Sequence, residues 1–192
     1  MVQAYSTFAN AGQRPNPTAI DKIVDASGNE LYLQPESKEE VLDPKLAYIV
    51  TSILSDNYSR RLVFGTNSLL QLGKRPVAAK TGTTDSFADN WTMGYTPQYT
   101  VGVWVGNNDR SVMRNLPGLQ GAAPIWNSVM KEIHLDKEIL QFVKPDGLEE
   151  AWISPSTGLP TTLKRKPNIL EFFMPGTVPA KTEKYQYLYQ FR

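Results

Sequence analysis

Two neighbouring segments whose side chains alternate with a period of two constrain the fold of this chain more than any other feature. They are Trp91–Tyr95 and Val101–Val105, and the short connection between them contains Pro97 and Gln98. Such alternation places every second side chain on one face of a β-strand. Two strands joined by a short turn pair as an antiparallel hairpin. The centre of the chain is therefore predicted to be an antiparallel sheet.

Helices are predicted on both sides of this hairpin in the sequence. Apolar residues recur at helical spacing in three stretches: Val2, Tyr5, Phe8 and Ala9; Leu46, Ile49, Val50, Ile53 and Leu54; and Trp126, Val129, Met130 and Ile133. Asp43 is a suitable N-cap for the second helix, and Pro44 suits its first position. Residues 27–29 (Ser-Gly-Asn) indicate a further hairpin between two short strand-like segments. This order of elements predicts the α+β class, with an antiparallel sheet flanked by helices.

The distribution of proline divides the chain into two parts. Six of the 14 prolines fall after residue 144, at Pro145, Pro155, Pro160, Pro167, Pro175 and Pro179. Because proline fixes φ and lacks an N–H donor, regular helix is disfavoured there. We predict a packed body over residues 1–134 and a Pro-rich, mostly extended C-terminal extension over residues 135–192. Within the extension, the alternating aromatic residues of 185–191 predict one aromatic face on a terminal strand, or a patch that docks onto a partner or onto the parent domain.

Charge and composition exclude several classes of function. Lys and Arg number 20 against 19 Asp and Glu, so the chain lacks the basic excess of a nucleic-acid-binding domain. It has no cysteine, which excludes disulfides, thiolate metal sites and a cysteine nucleophile. The single histidine, His134, excludes a multi-histidine metal site. His134 is expected to end the third helix, where a cation is mildly favoured, without a catalytic role. No apolar run is long enough to span a membrane.

The chemically most informative segment is Lys80–Thr84, at the end of a predicted strand. It combines an ammonium group, hydroxyl groups and a glycine that allows a ligand to approach the backbone closely. A lysine and hydroxyls beside an open strand edge form a receptor for a carboxylate. Side-chain alternation places Lys80 and Gly82 on one face and Thr81 and Thr83 on the other. A ligand can use both sets only if the strand borders a cleft.

A structural explanation of the same segment stays open at this point. An edge strand can carry a lysine that prevents aggregation and threonines that are simply good strand formers. Asp85 and Asp89, which follow the threonines, either border the cleft or lie in a solvated loop. No phosphate-binding loop is present, because the required glycine and lysine spacing is missing.

The surroundings of Lys80–Thr84 resemble a known family. The resemblance rests on five segments in order, Arg75–Thr84, Asp89–Trp91, Met93–Pro97, Val101–Asn107 and Gly121–Trp126. This series resembles the transpeptidase domain of penicillin-binding proteins, and most of all the bifunctional, class A-like type that also carries a glycosyltransferase domain. Gln3–Asn10 is similar to the helix that lies upstream in that family. The resemblance covers about residues 1–134 and is looser beyond them.

This resemblance implies a fold, a chemistry and a location. The fold is the C-terminal part of the β-lactamase/transpeptidase-like fold. In the implied reaction, a serine attacks the D-alanyl-D-alanine end of a peptidoglycan stem peptide, D-alanine leaves, and an amine of a second stem takes the acyl group. The implied partners are the stem peptide and β-lactam antibiotics, with no metal and no organic cofactor. The implied location is the extracytoplasmic face of the bacterial cell membrane.

The resemblance also assigns roles to individual residues. By position, Lys80 matches the lysine of the third family motif, Lys-Thr-Gly, which supplies positive potential toward the serine and the ligand carboxylate. Thr81 and Thr83 offer hydroxyls to that carboxylate, within a substrate-binding segment that includes Gly82 and Thr84. The backbone N–H of Thr83 is one of two oxyanion-hole donors. The implied catalytic residues are therefore Lys80 and Thr83.

The first two family motifs, Ser-x-x-Lys and Ser-x-Asn, are missing in the required arrangement upstream of Lys80. The literal match Ser128–Lys131 follows Lys80 and is expected to face solvent from a helix. The literal match Ser55–Asn57 lies too close to Lys80 and is expected to cap a helix end. We therefore expect this chain to be the C-terminal part of a longer transpeptidase, with the nucleophile and the membrane anchor on an N-terminal remainder. The chain alone is then expected to be inactive and, with apolar surface exposed, poorly soluble.

Two other functions remain open from the sequence. One is a non-catalytic module of the same fold that senses β-lactams or docks cell-wall partners. The other is a free-standing protein in which the motif occurs by chance. Both motifs in the coding sequence upstream of Met1 would support the enzyme, and their absence would support the module.

Overall fold

The computed structural model describes residues 1–35, 38–84, 87–113, 121–165 and 167–183. It divides the chain into two compact units, Met1–Val143 and Lys144–Arg192. The predicted aromatic face at residues 185–191 lies outside the described residues. None of the helices in the described part of the chain has the length and hydropathy needed to cross a membrane.

The unit Met1–Val143 combines helices with short antiparallel sheets, as the α+β prediction requires. Its described elements are α1 (Val2–Ala9), β1 (Gln13–Pro15), β2 (Lys22–Val24), β3 (Glu30–Leu33), β4 (Lys38–Glu40), α2 (Pro44–Ser55), α3 (Asn57–Phe64), β5 (Ala78–Thr83), β6 (Asp89–Tyr95), β7 (Thr100–Gly106) and α4 (Ala122–Ile133). Strands β1 and β4 form one two-stranded ribbon, and β2 and β3 form the hairpin predicted around residues 27–29. The main sheet has the order β5-β6-β7.

The predicted central hairpin is confirmed as β6 and β7. The two strands pair antiparallel in register from Asp89 opposite Gly106 to Tyr95 opposite Thr100. Thr96 closes the turn between them, since its hydroxyl oxygen accepts hydrogen bonds from the backbone N–H groups of residues 98 and 99. Strand β5 then pairs antiparallel with the other side of β6.

Helices cover both faces of the main sheet. On one face, Trp126 of α4 is completely buried and its indole N–H donates to the carbonyl of Val101, at 3.2 Å. On the other face, the phenol of Tyr95 is hydrogen-bonded to the Thr51 hydroxyl of α2, at 2.8 Å. Burial raises the pKa of Tyr95 to about 12, so this phenol stays protonated and can share the bond. The sheet is thereby fixed between α4 and the pair α1 and α2.

The predicted helix α2 is confirmed, but its apolar stripe is only partly buried. Asp43 caps this helix as expected, accepting from the Lys45 N–H at 2.8 Å. The buried residues are Ala47 and Thr51, whereas Leu46 and Ile53, which belong to the predicted stripe, are exposed. The small side chains of Ala47 and Thr51 are buried where α2 contacts β5, and Thr51 reaches Tyr95 of β6. Ile49, Val50 and Leu54 of the stripe are half-buried.

In α4 the predicted stripe is wrong at one position. Trp126 and Met130 are fully buried, but Val129 is exposed and Asn127 is buried in its place. The Asn127 side-chain N–H₂ donates to the carbonyls of Leu69 and Gln71, at 2.8 and 2.9 Å. Burial of an amide without hydrogen-bond partners would be unfavourable, but here backbone carbonyls accept from both N–H groups of Asn127.

Helix α3 was not predicted, because it is only eight residues long and none of its residues is buried. Its start is nevertheless encoded locally. The Asp56 carboxylate accepts hydrogen bonds from the N–H groups of Tyr58 and Ser59, at 2.8 and 3.1 Å, which is N-cap geometry. A search for caps rather than for apolar periodicity would have found this helix.

The unit Lys144–Arg192 is built on one hairpin in its described residues. Strands β8 (Glu149–Ile153) and β9 (Ile169–Phe173) pair antiparallel over their whole length. The Ser154 hydroxyl donates to the Glu183 carboxylate at 3.0 Å, which ties a later part of the segment to the end of β8.

Substitution of Gly94 tests the close approach of α4 to the sheet. A methyl group on Gly94 would lie 2.4 Å from Cζ2 of Trp126 and 2.8 Å from the carbonyl oxygen of Ala78. Gly94→Ala is expected to lower the free energy of unfolding by about 1–3 kcal/mol, because buried rings and backbone must shift. Gly82→Ala is the matched control on the neighbouring strand, since its methyl group would meet its nearest neighbour only at 3.9 Å. Chemical denaturation should separate the two, and equal stability would contradict this packing.

Candidate functional site

The segment Lys80–Thr84 lies at the outer edge of the main sheet. Of the strands that the structure describes, none pairs with the outer side of β5. Lys80, Gly82, Thr83 and Thr84 are exposed, and Thr81 is half-buried. The segment is therefore accessible along its length, which a ligand-binding edge requires.

The backbone of β5 directs specific groups toward this open edge. The N–H of Thr84 donates inward to the carbonyl of Asp89, at 3.1 Å. Successive residues of an antiparallel strand direct their backbone groups to opposite sides. Thr83 and Thr81 therefore direct N–H and C=O outward. Consistent with this, the carbonyl of Thr81 accepts a hydrogen bond from Nζ of Lys80, at 2.6 Å, which places the ammonium at the same edge.

The side chains divide between the two faces as the sequence predicted. Lys80 lies opposite Met93, on the face that α1 approaches. Thr83 lies opposite Asn90, on the face that α4 covers. Gly82 leaves open space between these residues, because a methyl group there would have no neighbour closer than 3.9 Å. The ammonium and the Thr83 hydroxyl thus flank the exposed backbone of one edge.

Asn90 contacts Thr83 directly and was missed by the sequence analysis. Its side-chain N–H₂ donates to the Thr83 hydroxyl oxygen at 3.1 Å, and its Oδ1 accepts from the Ala122 N–H at 2.8 Å. Asn90 is only 1% exposed, although it lies one position from half-buried Asp89 and Trp91. The only sequence signal was a carboxamide at a position of a central strand that faces the core.

Thr84 is engaged in the connection that follows β5. Its hydroxyl oxygen accepts from the Asp89 N–H at 3.0 Å, and its carbonyl accepts from the Phe87 N–H at 2.8 Å. Phe87 has a φ of 54°, a strained value for a bulky residue, and its ring is exposed. Asp85 lies outside the described residues. This tight connection holds the end of β5 against the start of β6.

Two tryptophans extend the Lys80 face of the sheet beyond Gly82. The rings of Trp91 and Trp104 are 6.3 Å apart, and Trp91 lies opposite Gly82. The Trp104 indole N–H donates to the Asp89 carboxylate at 2.8 Å, which places Asp89 within the sheet rather than in a loop. Trp104 is 38% exposed, whereas Tyr95 is fully buried. Tyr95 is therefore a core residue, whereas Trp91 and Trp104 form a partly open aromatic surface.

The two literal motif matches have the structural roles that the sequence analysis gave them. Ser128 and Lys131 are both exposed on α4. Ser55 ends α2, Asp56 caps α3 and Asn57 is the first residue of α3. Neither match shares a hydrogen bond with β5 in the described part of the chain, so neither brings a nucleophile to Lys80.

Three cavities in the described residues lie away from this edge. One of about 290 Å³ is lined by residues of α1, α2 and the 141–143 segment, and one of about 210 Å³ lies beside it. A third, of about 220 Å³, lies near β1 and β4. None of the three is lined by Lys80–Thr84.

His134 is a buried structural residue, and the expectation of a cation at this helix end is wrong. Its Nδ1 donates to the carbonyl of Met130 at 2.6 Å, and its Nε2 accepts from the Thr96 hydroxyl at 2.9 Å. Burial lowers the pKa of His134, and the charge of Arg75 lowers it further, against the opposing effect of the bond to Met130. Neutral His134 thus links α4 to the turn between β6 and β7.

Comparison with known proteins identifies the family. The family model of the penicillin binding protein transpeptidase domain matches residues 1–131. The chain belongs to the penicillin-binding protein transpeptidase family. The resemblance inferred from residues 75–126 is confirmed.

Curated relatives are much longer than this chain. It is 31% identical over 185 residues to Penicillin-binding protein 2D of Bacillus subtilis (strain 168), covering 94% of this chain and 26% of the relative. It is 38% identical over 134 residues to Penicillin-binding protein 1A of Aquifex aeolicus (strain VF5), covering 69% of this chain and 18% of the relative. The chain thus spans about a quarter or less of their lengths.

Solved structures confirm the α+β fold. The crystal structure of Penicillin-Binding Protein 1A from Haemophilus influenzae matches with a TM-score of 0.80 at 24% identity, over 94% of this chain and 32% of that one. The PonA1 protein from Mycobacterium tuberculosis, in complex with penicillin V, matches with a TM-score of 0.60 at 26% identity, over 75% of this chain and 40% of that one.

Titration of His134, the single histidine of the chain, should make the free energy of unfolding depend on pH near neutrality. Because the folded pKa lies below the ordinary 6.5, the unfolded chain takes up a proton first as the pH falls. The free energy of unfolding should therefore decline from pH 7.5 to 5.5, by at most about 1.4 kcal/mol per pH unit. His134→Gln should flatten this decline in urea denaturation curves. An equal decline in both proteins would assign the effect to another group.

Proposed function

We propose that this chain is the C-terminal part of a peptidoglycan D,D-transpeptidase that also binds β-lactams, with the nucleophilic serine on a segment outside these residues. The observation that carries the proposal is the exposed edge of β5. There the Lys80 ammonium, the Thr83 hydroxyl and the outward N–H of Thr83 lie along one accessible strand. An acyl donor that ends in a carboxylate fits this arrangement of donors.

Recognition of the donor uses the cation and the hydroxyls. A carboxylate only accepts hydrogen bonds, so it pairs with the ammonium of Lys80 and with O–H groups of Thr81 and Thr83. The ammonium already lies at the edge, where it donates to the carbonyl of Thr81. Open space at Gly82 lets the peptide or β-lactam lie against the strand. Thr84 supports the end of the strand through its bond to Asp89.

The chemistry is acyl transfer in two steps. The serine hydroxyl adds to the carbonyl of the penultimate D-alanine, and the backbone N–H of Thr83 stabilises the oxyanion that forms. The C–N bond then breaks, and D-alanine leaves with a proton as the acyl-enzyme forms. The amine of a second stem attacks the ester and regenerates the serine. When a β-lactam ring opens, the nitrogen released from the carbonyl stays covalently attached to the acyl group. It therefore does not depart as D-alanine does, and the acyl-enzyme persists.

The exposed apolar surface supports a missing partner segment. Leu46 and Ile53 of α2 and Leu62 and Val63 of α3 are all exposed, the last two by 87% and 76%. Isolated exposed leucines are ordinary, but a group on two consecutive helices marks an interaction surface. We assign its coverage to the N-terminal remainder of the transpeptidase domain. The relatives are long enough to include such a remainder.

The proposed function also includes a domain arrangement and a location for the protein. Residues 1–134 form the C-terminal part of the transpeptidase domain, and residues 135–192 form a C-terminal extension. The protein acts at the extracytoplasmic face of the bacterial membrane, where peptidoglycan is cross-linked, with its anchor on the N-terminal remainder. A non-catalytic module that senses β-lactams would keep the same edge but would lack the serine.

Mass spectrometry tests the location of the nucleophile. The 192-residue chain alone should show no mass increase after incubation with benzylpenicillin, whereas the complete protein should gain one penicilloyl group. A covalent adduct on any serine of the isolated chain would overturn the proposal. The absence of an adduct from the complete protein would support the non-catalytic module.

Replacement of Lys80 tests the carboxylate receptor. In the complete protein, Lys80→Ala should slow acylation by benzylpenicillin about ten- to hundredfold, because a hydrogen bond to a charged group is lost. Lys131→Ala is the matched control, since Lys131 is exposed on α4 and belongs to the unused Ser128–Lys131 match. Rates followed with a fluorescent penicillin should be normal for this control. A normal rate for Lys80→Ala would remove the role assigned to Lys80.

A further inference from the structure

We propose that Asn90 is a positioning residue that fixes the direction of the Thr83 hydroxyl, so that its hydrogen points at the carboxylate of the acyl donor. The proposal rests on the function proposed above and adds a residue to it. Asn90 itself touches no ligand, because it is 1% exposed and lies on β6 behind the edge strand. It acts through its hydrogen bond to Thr83.

The orientation of the Asn90 carboxamide is set from the α4 side. The N–H of Ala122, in the first turn of α4, can only donate, and it lies 2.8 Å from Oδ1 of Asn90. This leaves the N–H₂ end of the carboxamide directed at Thr83, at 3.1 Å from the hydroxyl oxygen. A flipped carboxamide would place its N–H₂ group against the N–H of Ala122, so that two donors would face each other without an acceptor. The α4 backbone thereby determines which end of Asn90 Thr83 meets.

The carboxamide in turn determines what the Thr83 hydroxyl can do. A hydroxyl carries one donor hydrogen and two acceptor lone pairs. Because the side-chain N–H₂ of Asn90 occupies a lone pair, the hydrogen of the Thr83 hydroxyl has to point away from Asn90, and Thr83 is an exposed residue. A carboxylate needs a donor, so this orientation is the productive one. The hydroxyl is oriented before the ligand arrives, which removes a rotational cost from binding.

A carboxylate in place of the carboxamide should reverse this orientation. In Asn90→Asp the side chain still accepts from the Ala122 N–H and keeps its shape. It can no longer donate to Thr83, so the Thr83 hydroxyl donates to the new carboxylate and turns its lone pairs toward the ligand. The variant therefore replaces an attractive contact with the ligand carboxylate by a repulsive one.

The experiment compares two probes on the complete protein, benzylpenicillin and its methyl ester, in which the carboxylate is masked. The second-order rate constants of acylation are measured for both, and their ratio gives the preference for the free carboxylate. Because both rates come from one preparation, the ratio does not depend on the fraction of protein that is folded. In Asn90→Asp the ratio should fall about ten- to hundredfold, with little change in the rate for the ester.

Two further variants separate positioning from general stability. Asn127→Asp is the matched control, because Asn127 is also a buried amide that donates to backbone carbonyls, but it makes no contact with Lys80–Thr84. It should leave the ratio unchanged, even if it lowers stability. In a Thr83→Val background, Asn90→Asp should cause no further loss of preference, because both changes remove the same contact.

Each outcome has a defined meaning. A wild-type protein without preference for the free carboxylate would overturn the proposed receptor, and this inference with it. A wild-type preference that persists in Asn90→Asp would overturn the role of Asn90 alone. If Asn90→Asp does not fold, Asn90→Ala gives the same test, because it also removes the donor to Thr83. Its ratio should fall about tenfold, and an unchanged ratio would refute the inference.

Discussion

The open edge of β5 is the constraint on which the rest of this structure depends. A strand between two neighbours uses its N–H and C=O groups in both directions, whereas an edge strand leaves alternate groups for a ligand. In β5 the inward bond of Thr84 to Asp89 sets the phase of this alternation, so Thr83 faces outward. A shift of one residue in the register would turn Thr83 inward and hide its N–H. The pairing of β5 with β6 therefore decides whether the site exists.

The elements around the sheet hold this register and leave the edge open. Trp126 anchors α4 on one face, and Tyr95 binds α2 through Thr51 on the other. Buried polar contacts add direction to this packing: Asn90 joins β6 to the start of α4, and His134 joins the end of α4 to the turn after β6. Apolar packing alone would permit small rotations of α4. The buried hydrogen bonds prevent such rotations, because breaking one of them would leave a polar group buried without a partner.

The contrast between the two sides of the molecule is informative. The face under α4 is closed, with Trp126, Met130 and Ala122 fully buried. On the other face, the aromatic pair of Trp91 and Trp104 is partly open. Lys80 lies on that face, opposite Met93.

Local sequence determined most helices and the central strands of this protein, and it indicated the family. Alternation specified β6 and β7, the Asp43 cap specified α2, and Lys80–Thr84 with its surroundings specified the family. Local patterns also misled where burial depends on a distant partner. The fully buried residues of α2 are Ala47 and Thr51, whereas Leu46 and Ile53 of the predicted stripe are exposed. Only the tertiary structure decided which polar groups meet, since Asn90, Thr83 and Ala122 lie on three elements whose contact no local pattern encodes.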